Sequence, residues 1–252
     1  VIEPLQVLGY SAFVPRACLA DWPDGPVTAS EKPDLALLDR SLRRGLSDVT
    51  RMFMHVAHAA LCDARALDHK PQVVFGSAFG EIATAEAMFA QAYDDNTASP
   101  VRFRHSVHNT AEGLYSISTH NREASTAIAA GWDTVAMGLL EASLQLRAGA
   151  SEVLLVFAEE QVPSSLSVEH RYGALAAAFL LARGGHDGAR ATLSDLARCP
   201  RSDLPSPFGA ENHPLGPAAY LARVIEAGDT ARAVLSNGDL PYCVTVTPKA
   251  RA

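Results

Sequence analysis

The chain is 252 residues long, enough for one large domain or two small ones, and at 48% hydrophobic and 19% charged it has a globular composition. Its 21 basic and 28 acidic residues give a formal net charge of −7. That argues against a duplex-DNA or anionic-membrane binder, which needs a clustered cationic surface to neutralise phosphates. The longest apolar runs, Val153 to Ala158 and Ala174 to Ala182, fall well short of the roughly 20 residues that span a bilayer.

Period and punctuation then set the expected elements. Leu5 to Val14, broken at Gly9, reads as a strand or strand pair, and the proline-bearing stretch Asp21 to Pro33 as loop. Val49, Met52, Phe53, Val56, Ala60, Leu61 and Ala64 recur at helical spacing, predicting a helix from Ser47 to Leu67 that Ser47 or Asp48 can cap. Val73-Val74-Phe75 is a short buried strand, Gly76 to Gly80 a turn, Ile82 to Tyr93 a helix and Asp94 to Pro100 a polar loop. A short helix over Asn109 to Thr119, a short buried strand over Ser125 to Ile128 and a long helix from Trp132 to Arg147 follow, the last ended by Gly149. Glu152 to Ala158 is a strand, whereas Ala174 to Leu181 fits strand or helix equally. Helices are expected near Leu193 and from Pro217 to Ala227, and Tyr242 to Thr247 closes the chain as a strand. Alternating strands and helices imply an α/β layered fold.

Most chemical signatures are missing. There is no G-x-x-x-x-G-K-[ST] loop, no G-x-G-x-x-G after a strand and no G-x-S-x-G elbow. His55 and His58, like His105 and His108, are three apart and could share a helix face, but neither pair has a third ligand nearby, so no metal or cofactor is expected. Cys18, Cys62, Cys199 and Cys243 are widely spaced and are read as buried or reduced thiols rather than a disulfide framework. The start, Val1-Ile2-Glu3-Pro4, has no basic segment leading into an apolar one, and a cytoplasmic location is the expectation.

The informative segment is Ala124-Ser125-Thr126-Ala127-Ile128-Ala129-Ala130-Gly131, where a strand of small residues turns at once into a long helix. Such a turn holds its residue over a helix N-terminus, where backbone N–H groups favour a thiolate or an oxyanion. The segment resembles the nucleophile elbow of the β-ketoacyl synthases, roughly Ser-Thr-Ala-Cys-Ala-Ser-Ser. Ser125, Thr126 and Ala127 match in register, and Ile128 stands where that family keeps its nucleophilic cysteine. Gly76 to Gly80 is similar to the family's glycine-rich turn, Ser99 to Phe103 and Val107 to Ala111 to its loop and dimer-flanking helix, and Gly149 to Val156 to the strand after the elbow helix. Asn212-His213-Pro214-Leu215-Gly216-Pro217-Ala218-Ala219 is faintly similar to a Gly-His-Thr-x-Gly-Ala-Ala-Gly helix start. The family's His-Gly-Thr-Gly-Thr and Asn-x-Phe-Gly-Phe-Gly-Gly segments have no counterpart.

The resemblance implies a thiolase-like layered fold of about five mixed strands with helices on both faces, the helix from Trp132 most buried through Val135, Leu139, Leu140 and Leu144. It implies a complete ketosynthase-like N-terminal half over 1–183 and a reduced C-terminal remnant, packed on the same domain, over 184–252. Because an isoleucine side chain has no lone pair for attack on a thioester, no catalytic residue is assigned, and the four cysteines, all outside the elbow, are not expected to react as activated thiolates. The implied role is that of the short chain-length factor that accompanies an active aryl polyene ketosynthase in fatty-acid- or polyketide-type elongation, meeting acyl carrier protein only indirectly. A homodimer is the other assembly open to it.

Ile128 and Trp132 are the acyl-channel candidates and His213 a weak match to a family histidine. Asn109, Tyr115, Ser125 and Thr126 are candidates for the dimer seam, and Arg102 and Arg104 beside Phe103 for a face toward an acidic carrier. Each has a plainer alternative: a core isoleucine, a packed tryptophan, a histidine bonding the amides of a helix start, solvated arginines. An acyl-thioester hydrolase or acyltransferase with a relocated Ser/His site is the competing function.

Overall fold

The computed structural model describes residues 3–15, 28–30, 32–97, 99–166, 172–200, 213–236 and 241–249. Their strands form one nine-stranded mixed sheet: β1 (Leu5–Pro15), β2 (Thr28–Ser30), β3 (Gln72–Gly76), β4 (Ser125–Ile128), β5 (Glu152–Glu159), β6 (Leu175–Arg183), β7 (Ala191–Arg198), β8 (Ala231–Val234) and β9 (Tyr242–Pro248). The order across the sheet is β4-β3-β5-β6-β1-β7-β9-β8, with β2 running parallel beside β1. β3 pairs in parallel with β4 and β5, and the remaining pairs along that order are antiparallel.

The helices are α1 (Asp48–Asp63), α2 (Ile82–Asp95), α3 (Pro100–His105), α4 (Thr110–Thr119), α5 (Thr134–Ala148) and α6 (Gly216–Ala227). They cover both faces, and strand alternation sorts the apolar residues between them. On β5, Val153, Leu155 and Phe157 join one core with α5 and α6, whereas Leu154, Val156 and Ala158 join the other with α1 and α4. Ala176 and Ala178 on β6, with Ala174 just before it, face the α1 side, and their small side chains let the helix come close. Gly9 serves the same approach on β1, since a Cβ there would lie 2.4 Å from the Ala60 carbonyl oxygen. β1 therefore runs through Gly9, its register to β6 shifting between Val7 and Gly9.

α1 starts where expected, with Ser47 Oγ accepting the Thr50 N–H at 3.0 Å. It stops before Leu67 because Arg65 turns left-handed (φ 56°) and the Ala66 N–H reaches back to the Leu61 carbonyl at 2.8 Å. Several expectations are corrected. The sheet has nine strands rather than about five: β2 lies within the stretch read as loop, most of which (Asp21 to Val27) falls outside the described residues, and β8 is an alanine-rich tetrapeptide with little strand character of its own. Leu193 lies on β7 and not on a helix, held between β1 and β9 with Ala191 and Leu193 inward. Residues 175–183 are a strand because β5 and β1 pair with them on either side.

α5 is not the most buried helix. It buries Val135, Leu139 and Leu146, while Leu144 is 48% exposed. α1 buries Val49, Met52, Phe53, Met54, Val56 and Leu61, because it lies over the middle strands β1, β5 and β6 whereas α5 lies toward the β4 edge. Cys199 and Cys243 form a disulfide, contrary to the reading of free thiols. The β7–β9 ladder sets Ala197 against Cys243 and so brings together cysteines 44 residues apart in the sequence. Cys62 is free and exposed, and Cys18 lies outside the described residues. Among the described residues no helix is long and apolar enough to cross a membrane.

Candidate functional site

The parallel register aligns the C-terminal ends of β4, β3 and β5: Ile128 pairs with Gly76, and Gly76 with Phe157. In α/β sheets ligands collect beyond such ends. Ile128 is half-buried against the α5-side core, and its carbonyl accepts the Ser77 N–H at 3.1 Å, tying the end of β4 to the loop after β3. The chain then turns through Gly131 (φ 54°) into a single 3₁₀ turn, Gly131–Asp133, before α5. The helix expected from Trp132 thus begins at Thr134. The buried Thr134 fastens the turn: its hydroxyl donates to the Gly131 carbonyl at 2.7 Å and accepts the Ala130 N–H at 3.1 Å. Trp132 is half-buried on the 3₁₀ turn.

Beneath this turn lies a residue that sequence reading passed over. Glu159, fully buried at the end of β5, accepts from the Ser77 hydroxyl (2.8 Å), the Ala78 N–H (2.6 Å) and the Phe79 N–H (3.1 Å), while the Gly80 N–H donates to Ser77 Oγ. One carboxyl group therefore organises the whole Gly76 to Gly80 loop. Burial pushes its pKa up to about 8 against the opposing pull of those donors. Neighbouring Glu160 accepts the Ala83 N–H at the start of α2, and burial pushes it up to about 7. Glu81 is raised by burial as well and accepts the Thr50 hydroxyl at 2.9 Å. The available signal was two acids directly after the apolar run Val153 to Ala158, since fully buried carboxylates need dedicated partners.

His213 is buried just before α6, with its ring 4.5 Å from that of Tyr172. Its Nδ1 accepts the Leu215 N–H, so Nε2 carries the proton and donates to the Gly173 carbonyl, both at 2.9 Å. Burial lowers its pKa to about 3, which keeps it neutral. Tyr172 is raised by burial and by the nearby Glu159 charge.

The seam candidates separate. β4 is an edge strand, with Ser125 exposed and Thr126 half-buried. Asn109 is exposed before α4, but Tyr115 is 1% exposed in the α1-side core, 5.9 Å from Phe53, and cannot meet a partner. Ile117, 62% exposed, is the apolar residue that α4 turns outward. Glu112, buried on α4, is raised to about 7 by desolvation, opposed by the Ser125 hydroxyl, so α4 and β4 adjoin. Arg102 and Arg104 are exposed beside exposed Phe103 on α3, a helix where the family resemblance places a loop over Ser99 to Phe103. His55 Nδ1 accepts the Asp34 N–H and His108 Nε2 contacts the Ser77 carbonyl. Among the described residues no three His, Cys, Asp or Glu side chains converge to hold a metal.

A two-faced α/β sheet with a strand-to-helix turn at the parallel strand ends is the thiolase-like layered fold. Residues 20–224 match the model of the β-ketoacyl synthase N-terminal domain family, and the chain belongs to that family. No curated protein matches the sequence. Among solved structures, the chain is similar to the ketosynthase (ApeO) in complex with its chain length factor (ApeC) from Xenorhabdus doucetiae, at 20% identity and a TM-score of 0.71, covering 96% of this chain and 98% of that chain. The ishigamide ketosynthase/chain length factor aligns at 16% identity and a TM-score of 0.69 over 97% and 98%. A type II polyketide synthase acyl-carrier protein in complex with its ketosynthase (AntDE:AntF) aligns at 11% and 0.74 over 99% and 100%. At these identities the likeness establishes the fold.

Proposed function

We propose that this chain is a catalytically silent ketosynthase-like subunit, a chain-length factor that pairs with an active β-ketoacyl-ACP synthase in aryl polyene-type elongation. The observation that carries the reading is Ile128 at the turn between β4 and α5, a side chain that cannot attack a thioester where the family places its cysteine. The similarity to two ketosynthase and chain-length-factor structures supports the pairing. So does the surface: β4 is an edge strand, and α2 has no fully buried residue and carries Phe89 (68% exposed) and Tyr93 (90% exposed). Such a pair would bury at least the ~1,600 Å² of a standard interface. The partner supplies the cysteine and histidines, Ile128 and Trp132 limit the depth of the shared acyl channel, and Arg102 and Arg104 offer charge to the acidic carrier. In this reading 1–183 is the ketosynthase-like half and 184–252 the reduced remnant, and the complex works in the cytoplasm.

Co-expression with a cognate ketosynthase, followed by size exclusion and product analysis, tests it. A 1:1 complex is expected, and Trp132→Ala should lengthen the product while the condensation rate stays within a few-fold. Absence of a complex, or a stable homodimer that leaves product length unchanged, refutes the proposal.

A further inference from the structure

Away from the elbow, α1 and the segment before it assemble a nucleophile, a base and an orienting acid. Cys62 Sγ lies 3.5 Å from His58 Nε2, and His58 Nδ1 lies 3.2 Å from Asp34 Oδ2. Cys62 and His58 are four apart on one helix face. The carboxylate draws the imidazole proton to Nδ1 and leaves Nε2 bare toward the thiol, which is the arrangement that activates a cysteine. His55 does not compete for that role, because its Nδ1 is occupied by the Asp34 N–H. Cys62 is exposed and lines an open cavity of about 570 Å³ whose polar wall includes Arg65, Arg190 and Lys249 against Asp63 and Asp187. Arg190 is paired with Asp63 at 3.3 Å, and Lys249 bonds Gln6 Oε1 at 2.6 Å. The balance of three cations to two acids suits a small ligand carrying carboxylates.

The same corner selects the reaction. The backbone amides beside the thiol are spent: the Ala64, Arg65 and Ala66 N–H groups bond the carbonyls of Ala60, Cys62 and Leu61. A tetrahedral oxyanion formed by acyl transfer would find none of these three amides free, and the C-terminal end of α1 presents carbonyls instead. Thiol–disulfide exchange needs no oxyanion hole, only a thiolate with access to a disulfide sulfur.

We propose that Cys62 is a site of reversible S-thiolation, activated by His58 and Asp34 and served by a cavity that accepts a low-molecular-weight disulfide bearing carboxylates. The Cys62 proton passes to His58 Nε2, and the thiolate attacks one sulfur of the disulfide. A Cys62–ligand S–S bond forms as the ligand's own S–S bond breaks, and the departing thiolate takes the proton from His58. The disulfide is the oxidant, and an excess of free thiol reverses the step. This proposal is independent of the chain-length reading and revises the expectation that every cysteine outside the elbow is inert.

The test treats the full, pre-reduced chain with glutathione disulfide, followed by intact mass and peptide mapping. Peptide mapping is expected to find a mixed disulfide at Cys62 that dithiothreitol removes. At pH 7 it should form about 3-fold faster than in His58→Gln, which lacks the base that accepts the Cys62 proton. The pH dependence of the rate should differ between the two chains. Asp34→Asn, at a well-exposed position, should slow the reaction in the same direction and serves if His58→Gln does not fold. Dicationic cystamine should react more slowly than glutathione disulfide, and Arg65→Ala should narrow that difference. Equal rates and pH profiles at Cys62 with and without His58, no mapped adduct at Cys62, or faster acylation of Cys62 by an acyl thioester would overturn it.

Discussion

Phe157 is clamped between two glycines, and the clamp can be tested directly. A Cβ at Gly138 on α5 would lie 2.7 Å from Phe157 Cε1, 2.8 Å from Cζ and 3.2 Å from Leu155 Cδ1. The ring cannot swing away, because a Cβ at Gly76 on β3 would already lie 2.6 Å from Phe157 Cδ1, so the ring occupies the space both glycines leave. Gly138→Ala gains up to about 1 kcal/mol of helix propensity, but it forces a methyl group some 0.7 Å inside ordinary contact with a fully buried ring, and overpacking of this kind costs about 1–3 kcal/mol. The expected net loss is about 1 kcal/mol, read as a lower urea midpoint at unchanged slope. Phe157→Leu should relieve the conflict, so the double variant should lose less than the sum of the singles. Gly76 ends β3 beside Ile128, and Gly138 lies on the helix that follows the turn, so the clamp sits next to the candidate site. A Gly138→Ala chain as stable as the unsubstituted one, or more so, would show that the helix can retreat from β5 and would refute the clamp.

The buried acids predict a pH dependence. Glu159 is raised to about 8 and Glu112 and Glu160 to about 7, each by burial, so folding favours their neutral forms. Their contribution is fully present below about pH 4.5 and is lost as pH rises through about 7 to 8, so Glu159→Gln should flatten the upper part of a urea-midpoint against pH curve; superimposable curves would refute it. Incubation with an acyl-thioester analogue should leave position 128 unmodified, and Ile128→Cys should not give independent condensation, since the histidine set is incomplete and His213 is held neutral between backbone groups; turnover by the isolated variant would refute that.

Local pattern alone determined the helix from Ser47, the strands at Val73, Ser125, Glu152 and Tyr242, and the turn that carries Ile128. These were legible because a cap, a period or a run of β-branched residues acts within a few residues of itself. The isoleucine at that turn was legible too, since residue identity requires no coordinates. Tertiary pairing decided the rest. Leu175–Arg183 is a strand because two neighbours bond it, Ala191–Arg198 because β1 and β9 do, and Ala231–Val234 because β9 does. The Cys199–Cys243 bond, the Glu159 cradle and the Cys62–His58–Asp34 array each join residues whose meeting is set by packing. Even His58 and Cys62, neighbours on one helix, acquired a chemical reading only when the segment before α1 folded back to bring Asp34 to the imidazole. No spacing rule reaches across such distances, because the free energy that fixes them comes from burial of the whole sheet and not from the residues that meet.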